Sequence, residues 1–247
     1  MGHWYDREGV PMHYIPSAKS GELRSTTLRD ARKLRLFPSV STIIGDVIAK
    51  PFVDRWKRQK YLDHAIEIAR ANKNLTPEQV IGKAHEAFED EMKEVTGRGD
   101  EIHNMFENAL SNEGVDIHIH QAYDLVNREL GYHEWVCEKS HTFAGGYAGK
   151  PDAYCDLWTI DFKTKDLTES STADKVAYDE NIMQLAAYNR GLGGGARVAN
   201  VFIDRNDPSL VLIKVWTPEE EERGWQMFNA AFNYWKQWKK FFPEENL

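Results

Sequence analysis

The stretch Lys150-Pro151-Asp152-Ala153-Tyr154-Cys155-Asp156-Leu157-Trp158-Thr159-Ile160-Asp161-Phe162-Lys163-Thr164 decides the fold. Tyr154, Trp158, Thr159, Ile160 and Phe162 are strand formers, and Asp156-Leu157 between them suits a two-residue turn. With that turn, Cys155 faces Trp158 and Asp152 faces Asp161, about 5 Å apart at Cβ. Alternation puts Asp161 and Lys163 on one face and Ile160 and Phe162 on the other. Two carboxylates this close repel unless one takes a proton or a cation joins them. A hard divalent cation, Mg²⁺ or Mn²⁺, suits such oxygen donors, with the Phe162 carbonyl as a further ligand. A plain ion-pair ladder is the alternative, but an unpaired acid on a strand flanked by Ile160 and Phe162 is costly.

Outward from the hairpin, His133 to Phe143 reads as a strand, Gly145-Gly146 as a turn, and Asp174 to Gly191 as a helix that displays Gln184 and Tyr188 one turn apart. Strands are expected over Arg197–Asp204 and Leu210–Trp216. Thr217-Pro218-Glu219-Glu220 starts a last helix whose Trp225, Phe228, Phe232 and Trp235 form a core stripe.

The N-terminal half reads differently. Residues up to Phe37 form an irregular or hairpin lead-in with a basic run, and Ser39 or Ser41 caps a short helix through Ile48. Phe52 to Ala71 reads as an amphipathic helix with Phe52, Trp56, Leu62, Ile66 and Ala69 on its apolar stripe. Thr76-Pro77-Glu78-Gln79 opens a helix to about Val95, which Gly97-Arg98-Gly99 interrupts or tightens. A further helix then carries Ile102, Phe106 and Leu110, with His103 beside them, and another spans Val115 to Leu130. This order predicts an α/β fold, a central mixed sheet flanked by helices, with an N-terminal helical elaboration.

The chain has 247 residues and a net charge of −8, so any nucleic-acid contact needs a local basic surface. Its two cysteines, Cys137 and Cys155, are too few for a disulfide scaffold or a four-cysteine metal site, and a reducing, cytoplasmic setting is expected. No apolar run approaches the roughly 20 residues that span a bilayer, so a membrane partner is not expected.

Pro151-Asp152 followed by Asp161-Phe162-Lys163 resembles the motif of the PD-(D/E)xK nuclease superfamily. Gln184-Leu185-Ala186-Ala187-Tyr188 resembles the Q-x-x-x-Y motif of its RecB-like branch, and Gly99-Asp100-Glu101-Ile102-His103 resembles that branch's Gly…His helix motif. Pro38-Ser39-Val40-Ser41-Thr42-Ile43-Ile44, Lys50-Pro51 and Trp56-Lys57 are similar to the start of phage and mitochondrial-type exonucleases, so the likeness covers roughly residues 38–240.

The resemblance implies a restriction-endonuclease-like core over 96–247, preceded by a lead-in and helical arch over 1–95. It implies a Mg²⁺- or Mn²⁺-dependent DNA exonuclease acting on single strands or ends, in a bacterial or phage-infected cell. Recombination or replication proteins are possible partners. Asp152, Asp161, His103 and the Phe162 carbonyl would hold the metal. Glu138 is either an additional acid there or only a strand residue. Lys163 would serve the attacking water, as base or electrostatically; Gln184 would orient Lys163 or the phosphate, and Tyr188 would support the site or touch DNA. Lys57, Arg58, Lys60 and Arg98 are candidate phosphate contacts. An endonuclease of the same superfamily, an idle nucleic-acid-binding module and a structural subunit of a recombination complex are the rival readings.

Overall fold

The computed structural model describes residues 2–111 and 113–246. The chain opens with β1 (Trp4–Tyr5), β2 (Tyr14–Pro16), β3 (Leu23–Ser25), α1 (Leu28–Leu34), β4 (Phe37–Pro38) and α2 (Val40–Val47). Then come α3 (Pro51–Ala71), α4 (Pro77–Leu110) and α5 (His120–Leu130). The remainder is β5 (Val136–Cys137), β6 (His141–Phe143), β7 (Tyr147–Gly149), β8 (Ala153–Tyr154), β9 (Trp158–Lys165), α6 (Ala173–Val176), α7 (Asp179–Gly191), β10 (Arg197–Asp204), β11 (Val211–Val215) and α8 (Pro218–Lys239). The chain divides into two compact units, one formed by Met1–Ile48 with His103–Leu247 and the other by Ala49–Ile102.

The first unit holds a five-stranded sheet in the order β11-β10-β9-β8-β5. Its pairs are antiparallel except β9 with β10, so the sheet is mixed, as the element order predicted. The hairpin takes the expected register: Ala153 faces Ile160, Tyr154 faces Thr159, and the Cys155 amide donates to the Trp158 carbonyl at 2.8 Å. α7 and α8 pack against each other through Gly224, where an added Cβ would lie 2.8 Å from Ile182 Cγ1. Phe228, Phe232 and Trp235 of the α8 stripe are buried in one core with Trp4, Ile43, Tyr147 and Tyr188. Each such side chain contributes on the order of 1.5–3 kcal/mol. The N-terminal lead-in therefore belongs to the core of the sheet's unit.

Several boundaries differ from the sequence reading. The strand expected over His133–Phe143 is broken, because Glu138 adopts a left-handed conformation (φ 51°) that ends β5. β6 and β7 then form a separate ribbon, turned at Gly145-Gly146 as expected, with Gly146 at φ 85°. The helix expected over Asp174–Gly191 is two helices, since Ala177 and Tyr178 are extended and the Asn181 side chain accepts the Tyr178 amide at 2.8 Å. α5 starts at His120 and not Val115, because Asp116 folds a turn by accepting the His118 amide at 2.8 Å. The lead-in contains a helix, α1, held by a Thr27–Asp30 capping box. α4 runs without a break through Gly97 and Gly99: a mid-helix glycine costs only about 1 kcal/mol.

In the second unit, α3 buries no side chain. Phe52, Trp56, Leu62 and Ile66 are exposed, so the expected stripe is not a buried face. At 100° per residue they share an arc of about 120°, interrupted by Arg55, and that face is left exposed. α3 and α4 are tied by Lys60 Nζ and His64 Nε2, each 2.8 Å from a Glu91 oxygen. Among the described residues, no helix is long and apolar enough to cross a membrane.

Candidate active site

The site is built on β9 by strand alternation. Asp161 and Phe162 are fully enclosed, on opposite faces, and Lys163 is half-buried two residues on. Lys163 Nζ donates to Asp161 Oδ1 at 2.7 Å. Asp161 Oδ2 accepts from Asn200 Nδ2 at 2.8 Å, across the parallel register that sets Asn200 beside Asp161. Asn200 is itself held by the Trp216 indole, whose Nε1 donates to Asn200 Oδ1 at 2.9 Å. Both oxygens of the buried carboxylate thus have a partner.

Asp152 lies just before β8, where Pro151 has no amide to continue the ladder. Asp152 Oδ2 accepts the Phe162 amide at 2.6 Å instead, which pins its carboxylate beside Asp161. His103, on the last turns of α4, places Nδ1 3.7 Å from Asp152 Oδ2. Its ring stands edge-on to Phe162 at 5.9 Å, and Phe106 one turn on packs against the same ring at 4.9 Å. The apolar face of β9 therefore orients the imidazole that reaches the acids.

On α7, Gln184 Nε2 donates to the Tyr188 hydroxyl at 3.2 Å. Tyr188 is buried against Gly149, where any side chain would collide with its ring. Burial raises the Tyr188 phenol well above its ordinary range, and the charges of Asp161 and Asp152 push the same way. Glu138 is half-buried and its carboxylate pairs with Lys150, while its amide donates to the Asp152 carbonyl at 3.0 Å. Burial raises the Cys137 thiol and the charges of Glu107 and Asp152 add to the rise, while a hydrogen bond with Ser111 opposes it. Glu107 and Asn200 are two site neighbours that the motifs did not identify.

Burial and the neighbouring charges set the electrostatics together. Burial raises the Asp161 carboxyl, the Asp152 charge adds to the rise, and Lys163 opposes it. Burial works against the Lys163 ammonium, but the charges of Asp161 and Asp152 outweigh it and raise its pKa. In this arrangement Lys163 donates to Asp161 as an ammonium.

The donor set of two carboxylates, one imidazole and a strand carbonyl has the oxygen-rich chemistry that Mg²⁺ or Mn²⁺ prefers. Among the described residues, no three His, Cys, Asp or Glu side chains form a metal-binding group in this conformation. Asp161 would have to trade a hydrogen bond with Lys163 or Asn200 for a metal.

The predicted phosphate contacts lie on the helical unit. Lys57 and Arg58 are exposed on α3. Lys60 is bound to Glu91, and Arg98 Nη1 lies 2.7 Å from Glu101. No protein-family model matches the chain, and no curated protein matches it.

Proposed function

We propose that this chain is a Mg²⁺- or Mn²⁺-dependent DNA nuclease that hydrolyses phosphodiester bonds from the ends of single strands. The observation that carries the reading is a fully buried Asp161 clamped to Lys163, with Asp152 and His103 beside it. Buried charge of this kind is costly to a fold, and a buried acid raised beside a specific charge partner marks a candidate functional site.

In this reading Asp152, Asp161 and His103 hold the metal, with the Phe162 carbonyl available, while Glu138 is kept by Lys150. A bound divalent cation would supply Lewis acidity toward the phosphate and lower the pKa of a water. Lys163 donates through Nζ to a non-bridging phosphate oxygen and so stabilises the charge that builds up as the bond breaks. Asp161 keeps that ammonium in place and charged. Asn200 and Trp216 hold Asp161 from behind. Gln184, fixed by Tyr188, offers its remaining amide hydrogen to the phosphate or to Lys163. Lys57 and Arg58 contribute phosphate contacts on the helical unit.

Linear and covalently closed single-stranded DNA, each with Mn²⁺ and with EDTA, tests the reading. Linear strands should be degraded only with the metal and closed circles should survive. Cutting of circles would make the enzyme an endonuclease, and no cutting of either would remove the proposal.

A further inference from the structure

We propose that the groove between α3 and α4 binds the bases of a single-stranded nucleic acid, which extends the nuclease reading above and rests on it for the kind of polyanion involved. The groove has a volume of about 390 Å³ and is lined by Lys57, Arg58, Tyr61, Leu62, His85 and Phe88. Two of its rings are fixed before any ligand arrives. The Tyr61 hydroxyl donates to the Ile81 carbonyl at 3.2 Å, and the Tyr61 and Phe88 rings meet edge-on at 6.3 Å. Fixed rings lose little side-chain entropy when a flat partner stacks on them.

The rim carries charge that the protein leaves uncompensated. Among the described residues Lys57 has no ion pair, and Arg58 donates only to the Asp54 carbonyl, at 3.2 Å. Lys60 on the same helix, by contrast, is paired with Glu91. An occupant must therefore bring flat apolar faces and regular negative charge together. An acidic peptide satisfies only the cations, and an apolar helix of a second copy satisfies only the rings. A nucleic-acid strand presents both along its length, and stacking is tolerant of sequence because every base has a π-face.

The test is fluorescence anisotropy in EDTA, so that nothing is cut, with an end-labelled oligothymidylate and a base-free abasic strand of equal length. Wild type should bind the thymidine strand about ten-fold more tightly, the size of one stacked base. Tyr61→Leu should erase most of that preference. Lys57→Gln with Arg58→Gln, at exposed positions that leave the packing intact, should weaken both strands alike. Equal wild-type affinity for the two strands would overturn the proposal, as would unchanged affinity in the double variant. Concentration-dependent dimerisation that Tyr61→Leu abolishes would assign the groove to a second copy and also overturn it. Because binding is read without metal, failure of cleavage would remove the nuclease reading alone, and loss of base preference would remove this inference alone.

Discussion

Asn200→Leu should destabilise the sheet's unit by about 3 kcal/mol. The side chain is fully buried and joins two other buried groups, Asp161 Oδ2 at 2.8 Å and Trp216 Nε1 at 2.9 Å. Leucine has a similar volume, so the packing change is small and the hydrogen bonds dominate the loss. A bond to a charged acceptor contributes roughly 1.5–3 kcal/mol and a neutral one about 1 kcal/mol, and both partners are left buried and unpaired. Trp216→Phe removes the indole N–H together with part of a buried ring and should cost roughly 2–3 kcal/mol. In the double variant the two losses should fall short of additivity, because they share one bond. Urea unfolding followed by circular dichroism measures all three. An Asn200→Leu loss below about 0.5 kcal/mol, or full additivity with Trp216→Phe, would refute the idea that Asn200 holds Asp161 from behind.

The remaining predictions concern other parts of the chain. Gly97→Ala should stabilise α4 by roughly 0.5–1 kcal/mol, since nothing lies within 4 Å of the added methyl; a lower melting temperature would argue against a continuous helix there. Gly149→Ala should drive the Tyr188 ring off its seat at a cost of about 1–3 kcal/mol, with a change in near-ultraviolet dichroism; an unperturbed melting curve would contradict the packing. The Asp161 carboxyl is raised in the fold by burial, so the folded chain holds that proton more tightly than the unfolded one. Its contribution is therefore complete below the ordinary carboxylate range near pH 4 and is lost as pH rises toward the folded value. Asp161→Asn should gain in melting temperature relative to wild type on going from pH 4 to pH 7 without metal, and a constant difference would contradict this.

The hairpin was legible because a two-residue turn sets the register of everything beyond it, and Ala153–Ile160 and Tyr154–Thr159 follow from Asp156-Leu157. The α8 stripe was legible because aromatic side chains at helical spacing must find a core. The strand over His133–Phe143 was drawn too long because one left-handed residue, Glu138, ends it without changing the hydrophobic pattern. Asn200 left a signal that went unused: a lone amide in the apolar run Val198-Ala199-Asn200-Val201-Phe202 needs a buried partner. The same holds for Thr27 and Asp30, whose spacing announces α1. The glycines at 97 and 99 misled because propensity is weak beside the packing of Ile102, Phe106 and Leu110 further along the helix.

The central claim is that Asp161 and Lys163 form a hydrolytic centre. Its most direct test is a side-by-side digestion of end-labelled single-stranded DNA by wild type and Lys163→Ala, with Mn²⁺ and with EDTA. Wild type should release label only with Mn²⁺. Lys163→Ala should lose cleavage by at least about a hundred-fold, as expected for removing a donor aimed at developing charge, while still binding the strand. Equal cleavage by the two proteins, or cleavage by wild type in EDTA, would contradict the account.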